Sequence, residues 1–332
     1  MFKKFIFILA VLISAQSFSQ RSTSSPYSYF GVGEEFGTRT VEQISMGSIG
    51  AAYSSPSYLN FINPASLSEL RLATYVFGVL NNDLTISDAD VNQSTNSTSL
   101  SYFSIAFPLS KKMAVVFGMQ PTSSVGYSLI NTLNDDEGNF EEITQYVGSG
   151  DVNRIYGGFG LKLFKGFSVG LELDFLFGNI QNNVLNIRDE VTLATKNVED
   201  SNVRGGSIKL GAQYKTTLTK DINLHVGASF KLGNSLNSTG TENLYSLSLG
   251  ASGFEQPRDT IFSGPLTANL ERPLETILGL GLGKTNKWYA GINYKTQDAL
   301  VASGYFDNSA ESFQYGQSNR ISAGGFYIPK IN

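Results

Sequence analysis

The chain of 332 residues has no cysteine, one histidine, one tryptophan and four methionines. Without cysteine it forms no disulfide, offers no thiolate and takes no diacyl lipid anchor. Any Ser-His-Asp machinery or His-ligated metal site would have to pass through His225. Charge is scarce too, 16% of residues against roughly 25% in soluble domains. The net charge of −4 is too small to point to nucleic acid or a strongly charged partner. Long apolar runs are missing: residues 5–13, preceded by Lys3 and Lys4, fall short of the roughly 20 residues that span a bilayer as a helix. With Ser17 and Ser19 flanking Phe18, residues 1–19 read instead as an export signal cleaved before Gln20.

What is present is aromatic and alternating. Phe (23) and Tyr (16) raise the aromatic content to 12%, Gly numbers 34, and hydrophobic residues make up 41%. Mean hydropathy is nevertheless −0.07. A transmembrane β-barrel has this profile, because lipid-facing apolar residues alternate with polar lumen residues. Over 167–177 the odd positions are all apolar, while the even ones include Glu172 and Asp174. Over 222–232 Ile222, Leu224, Val226, Ala228, Phe230 and Leu232 oppose Asn223, His225, Gly227, Ser229 and Lys231. Residues 208–215 split the same way, with Lys209 and Lys215 on the polar face. Phe164, Phe167, Tyr214, Trp288 and Tyr289 fall near strand ends, where interface girdles form.

The pattern predicts ten strands: 72–82, 97–108, 112–130, 152–163, 167–187, 202–217, 222–234, 268–283, 287–300 and 318–328. Links at 110–111, 164–166, 218–221 and 284–286 are short, and those at 83–96, 131–151, 188–201, 235–267 and 301–317 are long. Strict alternation of this kind belongs to bacterial outer-membrane barrels, with short turns periplasmic and long loops outside. The expected organisation is a signal at 1–19, an N-terminal segment at 20–71 and an all-β antiparallel barrel at 72–332.

The stretch 44–70, ISMGSIGAAYSSPSYLNFINPASLSEL, is too small-sided to form its own core. Gly47 and Gly50 within GSIGAAYS, then Asn63-Pro64-Ala65, then strands, make it resemble the start of the FadL/TodX family. Members are outer-membrane transporters of long-chain fatty acids and other hydrophobic compounds. The resemblance implies that 20–71 is a hatch inside the barrel, with Asn63, Pro64, Ala65, Gly47 and Gly50 as its motif. It also implies closure with about fourteen strands, so that some C-terminal strands would be missing from this sequence. The paired glycines 157–158, 205–206 and 324–325 read as bulges or as close approaches of the hatch.

Enzymatic readings find weaker support. His225 sits among lumen-facing polar residues, with no nucleophile two positions away on its face. Glu172 and Asp174 are paired carboxylates, but antiparallel pairing sets them near Arg154 and Lys162, which suits an ion-paired lumen better than acid–base work. Residues 134–142 are rich in oxygen ligands without EF-hand spacing, and read as a solvated loop. No cofactor or metal is implied. The lumen-facing polar set is Arg154, Glu172, Asp174, Lys209, His225 and Lys231. Leu247, Phe254 and Phe262 in 235–267 are candidates for first capture of a ligand. The leading expectation is passive uptake of fatty acids or other hydrophobic molecules, detergent or lipid included, through a hatch-gated barrel in contact with outer-membrane lipid and lipopolysaccharide. The alternative is a structural or partner-binding outer-membrane barrel in a secretion or assembly complex. One sequence leaves both open.

Overall fold

Period-2 alternation buries one face of each strand and exposes the other, and this dictates a curled antiparallel sheet with an apolar exterior. The structure is a computed structural model and describes residues 23–87, 92–250, 253–306 and 315–329. The expected export signal lies outside the described residues.

The strands are β1 (Glu34–Glu35), β2 (Thr74–Ser87), β3 (Asn92–Ser110), β4 (Met113–Asn134), β5 (Phe140–Phe164), β6 (Phe167–Arg188) and β7 (Ala194–Thr219). They continue with β8 (Ile222–Lys231), β9 (Asn234–Leu249), β10 (Glu255–Arg272), β11 (Glu275–Lys284), β12 (Trp288–Gln297), β13 (Val301–Gly304) and β14 (Ser318–Tyr327). One helix, α1 (Val41–Ser45), and two 3-10 turns, Pro26–Tyr29 and Pro64–Glu69, are the described helical elements. All strands join one antiparallel sheet, whose main path runs β14-β12-β11-β8-β7-β6-β5-β4-β3-β2. Among the described residues β14 and β2 end that path and are not paired with each other.

Three pairs of strands are single passes with a break: β8 and β9 at 232–233, β10 and β11 at 273–274, β12 and β13 at 298–300. Leaving β1 aside, the chain therefore makes ten passes, as many as the alternation predicts. The long loops need correction. Residues 131–134 extend β4 and 140–151 extend β5, 83–87 and 92–96 extend β2 and β3, and 194–201 belongs to β7. Most of 235–267 is the β9–β10 hairpin, paired from Arg272↔Asn234 to Glu255↔Leu249 with register shifts between Pro257 and Phe262. The reason is physical: above the membrane the outer face of a strand meets water instead of lipid, so the apolar alternation that marks a strand fades.

The two levels of the wall follow from pairing. β7 pairs β8 through 209–219 and β9 through 194–205. β7 has 26 residues and β8 has 10. A tilted strand crosses a bilayer in about 9–11 residues, so more than half of β7 projects beyond the height set by β8, β11, β12 and β14. Along the lower level Leu173, Phe175, Ile208, Leu210, Val226, Leu278, Leu280 and Ile292 face outward and are exposed, forming the apolar belt. Their neighbours Glu172, Asp174, Lys209 and His225 are buried inside. Tyr289, expected in the aromatic girdle, points inward and is buried; one residue of parity separates it from Trp288.

The concave face is packed. Leu59, Phe61, Leu67 and Leu70 of the N-terminal segment form a core with Tyr102, Ala106, Val116 and Tyr156 of the wall. Higher up, Val32 joins Val152, Leu176, Ile180, Val203, Leu236, Leu270 and Phe306. Met46 and Ile49 pack on Tyr289.

Candidate functional site

A polar cluster stands in the lumen between these apolar layers. Antiparallel register puts β5, β6 and β7 side by side, with Glu172 opposite Gly158 on one side and Lys209 on the other. Arg154 has no solvent exposure. Its Nη1 donates to Glu172 Oε1 at 2.8 Å and to Asp174 Oδ1 at 3.0 Å, and its Nε donates to Gln120 Oε1 at 2.9 Å. Lys209 Nζ donates to Glu172 Oε1 at 2.5 Å and to the Phe61 carbonyl at 3.0 Å. Asp174 Oδ2 accepts from Ser207 Oγ at 2.6 Å, and the Arg154 guanidinium lies 4.4 Å from the Tyr156 ring centroid. Two carboxylates thus hold two cations, every charge has a partner, and Lys209 ties the cluster to the N-terminal segment. The arrangement locks parts together, with no free base or nucleophile. Lys162, set near these carboxylates by sequence reasoning, pairs instead with Glu69.

The N-terminal segment is held as firmly. Thr40 and Gln43 make a capping box around α1. Gln43 Nε2 donates to Asn60 Oδ1 at 2.6 Å, and Asn60 Nδ2 donates to the carbonyls of Gly50 and Tyr53 at 2.7 and 2.8 Å. Asn63 is fully buried. Its Nδ2 reaches the carbonyl of Ala51 at 2.7 Å and those of Ala212 and Ala228 in the wall at 3.1 Å each, while its Oδ1 accepts from Ala65 N at 3.0 Å. Asn63 therefore joins the turn to the wall strands as well as to its own backbone. Pro64 opens the 3-10 turn, and Ala65 is completely buried. Ser68 Oγ donates to Ser168 Oγ at 2.7 Å, and Gln213 Nε2 donates to the carbonyls of Ala51 and Tyr53.

Contact this close needs glycine in the wall. Gly160, Gly170 and Gly211 are directly paired across β5, β6 and β7, and Gly227 pairs Gly279 across β8 and β11. A Cβ on Gly170 would stand 2.3 Å from Ala65 N, and one on Gly227 would stand 1.9 Å from the Ala51 carbonyl. On the other partner, Gly47 has φ +75° and its Cβ would meet the Ala323 carbonyl at 2.3 Å; Gly50 lies under Gln43 and Ile62. Of the paired glycines singled out in the sequence, Gly324 is the one against this segment, at Met46 and Gly47.

The remaining candidates lie apart. His225 is buried toward the short turns, edge-on to Tyr289 at 5.4 Å, and its Nδ1 has no partner among the described residues. Lys231 lies at the other end of β8, nearer the ion cluster. Leu247 is fully buried, while Phe254 and Phe262 are exposed by 67% and 49%, so the three do not line one pocket. A cavity of about 700 Å³ opens beside the short turns, lined by Val41, Tyr53, Tyr58, Leu59, Trp288 and Phe326. In the turn at 135–139 the Asp135 carboxylate accepts from Asn139 Nδ2 at 3.0 Å, Asn139 N at 2.7 Å and Glu137 N at 2.9 Å. These bonds, those of Asn139 first, hold its pKa below the usual carboxylate range.

A family model described as BamG matches residues 1–332. The chain belongs to the BamG family. Among solved structures, the toluene transporter TodX of Pseudomonas putida is 16% identical, with a TM-score of 0.54 over 89% of this chain and 80% of TodX. The monoaromatic hydrocarbon channel CymD is likewise 16% identical, with a TM-score of 0.54 over 87% of this chain and 80% of CymD. No curated protein matches the chain. At this identity the two channels share the fold of this BamG-family member, so the FadL/TodX resemblance holds at the level of architecture. Sequence reasoning missed Gln43, Asn60, Gln120, Ser168 and Gln213, which all bond within or against the N-terminal segment or Arg154.

Proposed function

We propose that this BamG-family chain is an outer-membrane barrel closed by its own hatch, 20–71, and that it works as a partner-binding component of an outer-membrane assembly or secretion complex. The observation that carries this reading is the filled lumen. Arg154, Glu172, Asp174 and Lys209 form a fully paired buried cluster, and Asn63, Lys209, Gln213 and Ser168 bond hatch to wall. An apolar solute moving through the lumen would have to break these groups apart without replacing their bonds. The projecting hairpins offer a surface instead: Phe254, Ile261 and Phe262 on one and Ile130, Leu133 and Phe140 on another are exposed above the lipid belt. Apolar groups in such a place mark protein interaction sites. Mild detergent extracts of outer membranes should contain the chain in a complex with another membrane protein, and Phe254→Ser with Phe262→Ser should reduce that complex. Extraction as a single chain, unchanged by those substitutions, would count against the reading.

A second reading, hatch-gated uptake of hydrophobic molecules, rests on the fold shared with TodX and CymD and on the aromatic-lined cavity of about 700 Å³ beside the hatch. It requires the hatch to move.

A further inference from the structure

Between the N-terminal segment and strands β8 to β14 lies a smaller cavity of about 120 Å³. Its lining holds seven basic residues and two acidic ones. Four of the cations are matched. Arg154 and Lys209 bind Glu172 and Asp174, as described above. Arg272 Nη2 donates to Glu35 Oε1 at 2.7 Å, and Lys295 Nζ to Glu275 Oε2 at 2.6 Å. That leaves Arg39, Lys231 and Arg320. Arg39 donates to a neutral hydroxyl, Ser48 Oγ, at 2.8 Å. Lys231 and Arg320 form no hydrogen bond or ion pair with a described residue.

Arg272 adds an independent sign. It is only 8% exposed, yet its Nε is buried without an acceptor among the described residues. A buried donor left unpaired is costly, more so on a charged group. Arg154, Lys209 and Arg272 all repel Lys231, while Asp174 and Glu275 attract it without bonding to it. Arg39 is likewise repelled by Arg320, with Glu275 as its attracting neighbour. Positive charge that converges from the N-terminal segment, β8, β10 and β14 on one small space calls for a counter-charge with several acceptor oxygens.

We propose that this cavity is an oxyanion site, built for a phosphate group, free or carried on a small phosphomonoester. Arg39, Lys231, Arg320 and the free Nε of Arg272 supply its donors. Glu35 and Glu275, already neutralised by Arg272 and Lys295, fix the orientation of the cationic wall. Four elements meet there, so bound anion would cross-link the N-terminal segment to the strands at the sheet's β14 end. The site is independent of whether the barrel transports solutes or binds a partner.

The test uses the purified full chain in detergent at fixed ionic strength, titrated calorimetrically with inorganic phosphate and, in a second arm, with glycerol phosphate. Saturable binding at one site is expected, weakening as chloride is raised, with a rise in melting temperature. Lys231→Met should weaken phosphate binding by about tenfold or more. It should leave the anion-free melting temperature unchanged or higher, because it removes a cation with no partner. Arg320→Gln, at an exposed position, repeats the test should Lys231→Met fold poorly. Tighter binding of glycerol phosphate than of inorganic phosphate would assign the site to a phosphomonoester; the reverse order would assign it to the free ion. No saturable binding of either, or binding that both variants retain at parental strength, overturns the proposal.

Discussion

Substituting Glu172 with Gln tests how far the lumen cluster holds the molecule together. Glu172 Oε1 accepts from Arg154 at 2.8 Å and Lys209 at 2.5 Å, and its side chain is 4% exposed. The variant keeps the shape and one acceptor, but leaves two buried cations to share Asp174. Arg154 retains Asp174 at 3.0 Å and Gln120, whereas Lys209 retains only the Phe61 carbonyl. Breaking a buried pair by removing one partner costs about 3–5 kcal/mol. The control is Glu69→Gln, whose carboxylate at 26% exposure pairs with the more open Arg71 at 3.3 Å and with Lys162. Exposed pairs are worth about 0–1 kcal/mol. Urea unfolding of the reconstituted barrel, followed by tyrosine fluorescence and by gel mobility before and after heating, should show a clear loss for Glu172→Gln and almost none for Glu69→Gln. Replacing Arg154, Glu172, Asp174 and Lys209 together by apolar residues of similar volume should recover part of the loss. Equal midpoints for Glu172→Gln and Glu69→Gln would refute the claim that the cluster is a lock.

Three further outcomes follow from the same geometry. Gly227→Ala places a methyl 1.9 Å from the Ala51 carbonyl and should unseat the N-terminal segment, seen as new protease cleavage within 44–70, while Gly316→Ala, which meets nothing within 4 Å, should not. Leu173→Arg puts a charge into the lipid belt and should cost about 2–4 kcal/mol, whereas the similarly exposed Leu133→Arg, above the membrane, should fold normally; equal losses would contradict the membrane level drawn here. Single cysteines at Asn134 and Phe254 should be labelled on intact cells and those at Lys165 and Asn286 should not; the reverse pattern would invert the topology.

The parts of this fold that were legible in the sequence are those with one face in lipid. The apolar parity of 167–177 and of 208–215 places Glu172, Asp174 and Lys209 in the lumen, and antiparallel pairing brings Arg154 beside them. The same parity is blurred above the membrane. Asn197 and Asn243 are polar strand residues with polar partners, and the runs containing them, 188–201 and 235–267, read as loops. Tyr289 shows the opposite failure, because an aromatic at a strand end suits a girdle unless its parity turns it inward against Met46 and Ile49. The seating of the N-terminal segment was legible in its small residues, but not in its partners. Gly170, Gly211, Gly227 and Gly279 are spread over more than 100 positions and become one surface only when register aligns them. The bonds of Asn63 to Ala212 and Ala228 have the same character, since no local signal links residues so far apart in the chain.

The central claim is that the barrel acts with its hatch in place. Ser68 of the N-terminal segment and Ser168 of the wall face each other with their hydroxyls 2.7 Å apart, and the chain has no cysteine of its own to interfere. Ser68→Cys with Ser168→Cys should therefore form a disulfide that fixes the hatch to β6. The decisive measurement is import of labelled oleate by intact cells carrying this variant, oxidised or reduced, beside cells lacking the chain. The account predicts the same import in all three. Import that appears with the reduced variant and vanishes on oxidation would contradict it and establish a moving hatch.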